Sequence, residues 1–483
     1  MKNFKFSSLL LVPLLAVLAA CGGGGGGNSS SGGSTATPTL KSIAVTAPAS
    51  QSTTLIINTT LQLTATGTYS DGSTKAMTGL TWTTKSGTAT VAQVASTGIV
   101  SAKGAGTETI TATSTADNIA GSINLTVVTP WTQFAAGGNQ TIGLKADGKL
   151  YSWGSNIRGQ LGDGTSTDRN APTLVSGNST LWKQVAVGDR FAVAIRTDGT
   201  LWAWGYNLFG QLGDGTQIDR LVPVQVGTAK NWSYVAAGKA HVVALQSTTT
   251  GTTSVNSLWV WGSNANGQLG ITGSATDGFK PRMVGLATDN WLTVAAGDAH
   301  TLAIKSDQTL WAWGDNSNGQ LGISGTGTTP AQVGTALWSY VAAGSGHSLA
   351  IRNDGTLWGW GKNDAGQVGN ATNITQTAPV QIGTAADWAR VAGGVSHSIG
   401  VRNNGTLWVW GANTEGQLGN GTNDTNLPVQ VGNLTVWKSV AAGAYHSAAQ
   451  RADSSLWTWG RNTEGQLGNG GNTTSSVPQN IPY

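Results

Sequence analysis

One stretch recurs seven times in the C-terminal three-quarters of the chain. It reads LYSWGSNIRGQLG (150–162), LWAWGYNLFGQLG (201–213), LWVWGSNANGQLG (258–270), LWAWGDNSNGQLG (310–322), LWGWGKNDAGQVG (357–369), LWVWGANTEGQLG (407–419) and LWTWGRNTEGQLG (456–468). A tryptophan opens each unit, at Trp131, Trp182, Trp232, Trp291, Trp338, Trp388 and Trp437, with spacings of 51, 50, 59, 47, 50 and 49 residues. A period near 50 constrains the fold more than any composition does. Each unit is one supersecondary element that cannot bury its apolar face alone and must stack on copies of itself.

Each unit reads as four short strands. One follows the opening tryptophan, a second is of the HSIGV type, and a turn such as Asn404-Gly405 leads into the third, TLWVW. Asn-Gly and Asp-Gly suit tight hairpins because both central residues tolerate positive φ. The fourth strand carries a proline in every unit (Pro172, Pro223, Pro281, Pro330, Pro379, Pro428, Pro478). That fits an outer edge, where a missing N–H is harmless. Seven such units close into a propeller. The expected fold class is all-β, an N-terminal Ig-like β-sandwich followed by a seven-bladed β-propeller over residues 130–483.

The repeat also reassigns the residues that look most chemical. Of 21 tryptophans, seven open units, 13 occupy the L-W-x-W positions with Tyr151 replacing one, and Trp82 lies outside. Residues i and i+2 share one face of a strand, so these rings are expected to fill the wedges between blades rather than to stack on sugars. Gly-Gln-Leu-Gly supplies turn geometry and close backbone approach. It opens no helix, as a phosphate loop must. His241, His300, His347, His397 and His446 share one unit position, held by Gln140 and Phe191 in the other two units. They are expected to make structural hydrogen bonds, with no metal site, no catalytic residue and no cofactor. Lys145, Arg196, Lys305, Arg352, Arg402 and Arg451 stand two residues before the turn residues Asp147, Asp198, Asp307, Asp354, Asn404 and Asp453. They read as a solvated, mostly paired rim.

The first residues carry an address. Lys2 and Lys5 precede an apolar run from Leu9 to Ala20, too short to span a bilayer and suited to a secretory signal. Leu18-Ala19-Ala20-Cys21 resembles a bacterial lipobox, which implies a signal over 1–20 and lipidation of Cys21, the only cysteine. The resemblance implies a lipid-anchored envelope protein, at the outer membrane or cell surface. A Gly/Ser-rich tether follows over 21–39. Residues 40–129 alternate apolar and polar in short runs, the pattern of a small sandwich with Trp82 as core anchor. YSDGST (69–74), LTWTTKS (80–86), TGIVSAKGAGTETITATS (97–114) and the final LTVV resemble the bacterial Ig-like group 2 module. Such modules read as stalks.

The unit W..VAAG..HSLAIR.DGTLW.WG.N..GQLG…P resembles the regulator of chromosome condensation repeat family. That resemblance implies the seven-bladed propeller directly. The family's founding member is a nucleotide exchange factor for a nuclear GTPase and binds chromatin, an activity disfavoured by a lipoprotein signal. Residues 131–483 carry 20 Lys plus Arg against 19 Asp plus Glu, which also argues against nucleic acid as a partner. The shared theme of the family is a platform for protein recognition. The expected function is therefore a surface-anchored, monomeric, non-enzymatic binding or adhesion protein for an envelope, host or matrix protein. The alternatives are a secreted-type enzyme inhibitor on the same face, and, less favoured, a carbohydrate-binding protein. Binding is expected where units differ. Units one and two depart most, at Arg158, Phe191, Tyr206, Leu208 and Phe209, and unit three carries insertions at 246–257 and 271–282. Tyr and Arg are enriched in interface hot spots.

Overall fold

The computed structural model describes residues 37–49, 51–177, 181–271, 278–421 and 423–481, and holds strands but no α-helix among them. Cys21 lies outside the described residues. Ahead of Pro130, three small sheets share one apolar core. Leu40–Thr46 pairs with Thr64–Tyr69, which pairs with Thr74–Ala76; Gly106–Ser114 and Ile119–Val128 form the longest hairpin; and Ile99–Ala102 pairs with Thr60–Gln62 and Ala92–Val94. Leu61, Val100, Ile110, Ala112, Leu125 and Val127 are buried at the centre. Trp82 packs against this core from its edge, half-buried and over Gly98.

From Trp131 onward the seven units become seven four-stranded antiparallel blades, each strand hydrogen-bonded to the next in sequence. The first blade is Trp131–Gly137, Gln140–Lys145, Leu150–Gly154 and Arg169–Leu174. The first strands touch their counterparts in adjacent blades all round the ring and line its axis. Blades four and five merge at the shortest connection. There one continuous strand, Gly327–Ala343, ends blade four and opens blade five. Loops after the first and third strands emerge on one side, here the loop face. The tight turns and the blade-to-blade connections emerge on the other, the turn face.

The wedges hold the aromatic rings that the repeat put there. The second tryptophan of each L-W-x-W pair is fully buried, and each opening tryptophan is nearly so. Trp360 is typical. It sits among Leu302, Ile304, Leu310, Leu321 and Val333 of the preceding blade, and its Nε1 donates to the Gln320 carbonyl at 2.9 Å. The last glycine of Gly-Gln-Leu-Gly makes room for it. Gly322 has φ 69°, and a Cβ there would meet the Trp360 indole at 2.9 Å. Positive φ and ring contact both demand glycine.

The five histidines form one repeated relay between blades. His300 Nε2 lies 3.0 Å from Ser348 Oγ in the next blade, and Ser348 Oγ donates 2.7 Å to the Gln320 carbonyl. His241–Thr301, His347–Ser398, His397–Ser447 and His446–Thr141 repeat it. A carbonyl only accepts, so the hydroxyl proton is committed to it. The histidine must then donate from Nε2, leaving Nδ1 unprotonated. All five rings are fully buried, and all five Nδ1 atoms are without a partner. The expected structural role holds.

The ring closes without exchanging a strand. The first and last blades are each built from consecutive chain, so closure rests on hydrogen bonds and packing. Ala444 N donates to Gly138 O at 2.8 Å, Gln450 Nε2 to Trp131 O at 2.6 Å, and the His446–Thr141 relay spans the seam. Trp131, Phe134, Trp153, Leu456 and Ile481 bury its apolar part, the smallest of the interblade clusters.

Two expectations change. The Lys and Arg residues before the turns are not a freely solvated rim. The guanidinium of Arg196 lies 3.7 Å from the Trp202 ring centroid, Arg352 3.5 Å from Trp358, Arg402 4.0 Å from Trp408 and Arg451 3.7 Å from Trp457. Lys145 and Lys305 cover Tyr151 and Trp311 in the same way. The first ring of each L-W-x-W pair is only half-buried, and in every blade but the third, which carries Gln246 instead, a cation over its face completes the cover. The turn carboxylates serve their own turns instead, as Asp354 Oδ1 accepts from Thr356 N and Oγ1.

Candidate functional site

Phe191 does not belong to a binding surface. It is fully buried, because its unit position is the interior site that histidine holds in five other blades. Its ring lies against Gly188, as the His300 ring lies against Gly297. The next blade matches it with Val242 where the relay blades carry Ser or Thr. Gln140 is the other exception. It faces Ala192 and reaches past it to the Phe191 carbonyl at 3.0 Å.

The other four residues come together on the loop face. Arg158, from the blade-one loop, stacks its guanidinium 5.2 Å from the Tyr206 ring centroid and pairs with Asp219 of blade two at 3.5 Å. Tyr206 meets Phe209 edge to face at 6.2 Å. Leu208 is 51% exposed and Phe209 45%, and in the same two loops Ile157 is exposed at 57% and Ile218 at 61%. Ile157 and Ile218 were not anticipated. Their signal lay in the repeat. The position of Ile157 and Leu208 is Ala265, Ser317, Asp364, Thr414 and Thr463 in the remaining units, so only blades one and two place large apolar groups there.

These side chains stand on fixed loops. Asn207 is fully buried; its Nδ2 donates to the Thr216 and Ile218 carbonyls, and its Oδ1 accepts from Leu212 N. Asp214 pairs with Arg220 at 2.7 Å, and Asp163 with Arg169 at the same distance in blade one. Burial alone would raise both carboxyls. Hydrogen bonds from Thr165 and Arg169, and from Thr216 and Arg220, outweigh it and hold them below the usual carboxylate range. Blade three adds Phe279, which packs against Gly210 beneath the patch. Residues 272–277 of that insertion lie outside the described residues.

The patch borders the axial mouth. A depression of about 420 Å³ opens there, lined by the first loops of all seven blades, including Asp189, Arg190, Lys239, Asp298 and Tyr445. Backbone bonds tie five blade steps around its rim: Lys239 N to Gly297 O, Asp298 N to Ser345 O, Ser345 N to Gly394 O, Val395 N to Ala444 O and, across the seam, Ala444 N to Gly138 O. Burial raises the Asp189 carboxyl, against the pull of Arg190 and Lys239. The 246–257 insertion is elsewhere. His241–Thr250 and Thr253–Gly262 extend past the blade as a ribbon on the turn face, stitched at its base by Asn256 to Asn290 and Trp291. No group of three or more metal-ligating side chains occurs among the described residues.

The surface is suited to contact. It offers exposed aliphatic and aromatic groups, an arginine and a rigid frame. None of the chain's tryptophans is exposed, which removes the platforms on which a carbohydrate-binding reading rests.

Comparison with known proteins agrees with this geometry. The model of the regulator of chromosome condensation (RCC1) repeat matches residues 147–195 and 198–245, a second model of that repeat matches 131–160 and 182–211, and the RCC1-like domain model matches 247–482. The chain is 36% identical over 193 residues to the ultraviolet-B receptor UVR8 of Arabidopsis thaliana, covering 39% of this chain and 42% of the receptor. It is 31% identical over 196 residues to the human E3 ubiquitin-protein ligase HERC2, covering 38% of this chain and 4% of the ligase. The chain thus spans less than half the length of either relative, and the ligase match lies within its RCC1-like region. Among solved structures, Saccharomyces cerevisiae Prp20p, described with its binding to Gsp1p and histones, superposes with a TM-score of 0.59 at 26% identity, over 66% of this chain and 82% of that one. Human WBSCR16 superposes with a TM-score of 0.61 at 22% identity, over 69% and 94%, and speaks to the fold alone. With these models together spanning residues 131–482 and the same propeller formed, the chain belongs to the RCC1 repeat family.

Proposed function

We propose that this protein is a binding platform that recognises a partner protein through the loop face of blades one and two. The observation that carries this reading is the cluster of Ile157, Arg158, Tyr206, Leu208, Phe209 and Ile218, exposed on a frame whose own bonding needs are met internally. Scattered exposed apolar groups are ordinary on a protein surface, but an apolar and aromatic cluster with an arginine has the make-up of an interaction site. Prp20p, with the same fold, binds Gsp1p and histones.

The platform is carried on the cell envelope by a lipid on Cys21, with residues 21–39 as tether and residues 40–129 as an Ig-like stalk. The Leu18-Ala19-Ala20-Cys21 sequence supports this. Labelled palmitate is expected to enter the wild-type protein in cells and to be lost in Cys21→Ser, with the product released from the membrane fraction. Equal labelling of both sinks the anchor.

Binding is tested by crosslinking the 131–483 propeller to envelope, host and matrix proteins. Phe209→Ser combined with Leu208→Ser is expected to weaken capture at least ~10-fold without moving the thermal midpoint, since both side chains are exposed. Capture unchanged by this double variant overturns the assignment. If the captured partner is a hydrolase whose activity falls on binding, the platform serves inhibition rather than adhesion.

A further inference from the structure

The axial channel has a second end. On the innermost strand of each blade, the residue two after the opening tryptophan belongs to a ring near the turn face: Gln133, Gln184, Tyr234, Thr293, Tyr340, Arg390 and Ser439. Toward the loop face this ring gives way to a belt of alanine and glycine that includes Ala136, Ala237, Ala296, Ala343 and Gly393. Arg390 is the one charged member of the ring. Its guanidinium lies 5.3 Å from the Tyr340 ring centroid, and its Nη1 donates 2.7 Å to the carbonyl of Ala389. No ion pair involves it among the described residues. Tyr234 packs toward blade four and Tyr340 toward blade six.

We propose that Arg390, walled by Tyr234 and Tyr340, is a receptor for a single carboxylate at the turn-face end of the channel. Three features point to that class. An exposed, unpaired cation beside an apolar ring attracts anions. The Nη1 bond to Ala389 anchors the guanidinium and leaves the Nε–Nη2 edge, whose two parallel N–H groups match the two oxygens of a carboxylate. Tyr340 adds a hydroxyl donor. Burial raises the Tyr234 phenol, and burial together with Tyr234 pushes Tyr340 up to about 12 despite the opposing pull of Arg390. Both therefore stay protonated at neutral pH; the Tyr234 hydroxyl is paired with Thr293, and Tyr340 presents its O–H to an anion.

The site is independent of the loop-face patch, which faces the opposite way. Titration calorimetry with benzoate, at low salt on the full chain, is expected to show binding. Arg390→Ser, which installs the residue that blade seven carries at Ser439, is expected to weaken it at least ~10-fold, and Tyr340→Phe by about threefold. Thermal midpoints check that both variants fold. A peptide, acetyl-Gly-Asp-Gly-amide, separates the two sources of the group. Tighter binding of the peptide assigns the site to a side chain of a protein partner, and tighter binding of benzoate to a free small acid. No heat with either probe, affinity within twofold in Arg390→Ser, or sulfate binding as tightly as benzoate overturns the carboxylate receptor.

Discussion

Trp360→Ala is expected to destabilise the propeller by about 3–5 kcal/mol, the range for truncating a fully buried tryptophan. The indole is completely enclosed between blades four and five. Its removal leaves a cavity that Gly322, held at positive φ against the ring, cannot close. It also removes one of the two donors on the Gln320 carbonyl, leaving Ser348 alone on it. Two positions earlier, Trp358 is half-buried and covered by Arg352 at 3.5 Å. Trp358→Ala is expected to cost roughly 1–2 kcal/mol, part in apolar area and part in the cation–π contact. Urea denaturation of the two variants checks the contrast. Equal costs would mean that the outer ring bears the interface as much as the wedge ring does.

The second large effect is acid unfolding. His241, His347 and His397 are lowered to about 3, and His300 and His446 to about 4, chiefly because burial disfavours the imidazolium. An unfolded histidine titrates near 6.5. Between these values the unfolded chain binds more protons than the folded one, so stability rises with pH. The contribution is complete above about pH 6.5 and is lost as pH falls toward 4. At pH 4.5 each imidazole accounts for roughly 2–3 kcal/mol, and five together rival the whole stability of a typical domain. Cooperative unfolding between about pH 5 and 4, taking up several protons, is the expected result. Copying the Phe191–Val242 pair into the relay, as His300→Phe with Ser348→Val, is expected to move the midpoint to lower pH. His300→Phe alone removes the bond that Ser348 Oγ accepts while its own donation to the Gln320 carbonyl persists, and is expected to lower stability at neutral pH. Circular dichroism across the pH range measures both. An unchanged midpoint in the double variant would remove the histidines as the cause.

The opening tryptophans, the L-W-x-W pairs and the Gly-Gln-Leu-Gly loops were readable without coordinates because each residue does the same thing seven times. A repeated residue must serve a repeated contact, and a large apolar face repeated in seven equivalent blades finds its cover in the next blade. The same logic misled at Phe191. Departure from the repeat points to surface function, but here the site itself is interior, and Phe191 departs together with Val242. That pairing was present in the chain. Every unit that follows a histidine carries Thr301, Ser348, Ser398, Ser447 or Thr141 beside the equivalent position. The partners are 48 to 60 residues apart along the chain, and for His446 and Thr141 they are 305 apart, so no local pattern connects them.

The period, the turn dipeptides and the edge prolines determined the architecture by themselves, since a strand unit with an apolar face must stack on its own copies. Three matters waited for the tertiary structure. Whether a repeat-breaking side chain faces solvent depends on which neighbour covers it, and so Arg158, Tyr206, Leu208 and Phe209 gather with Ile157 and Ile218 while Phe191 does not. Which cations rest on rings depends on the pleat of adjacent strands. Whether Arg390 meets an acid depends on seven chain segments arriving at one axis, a convergence that only ring closure creates.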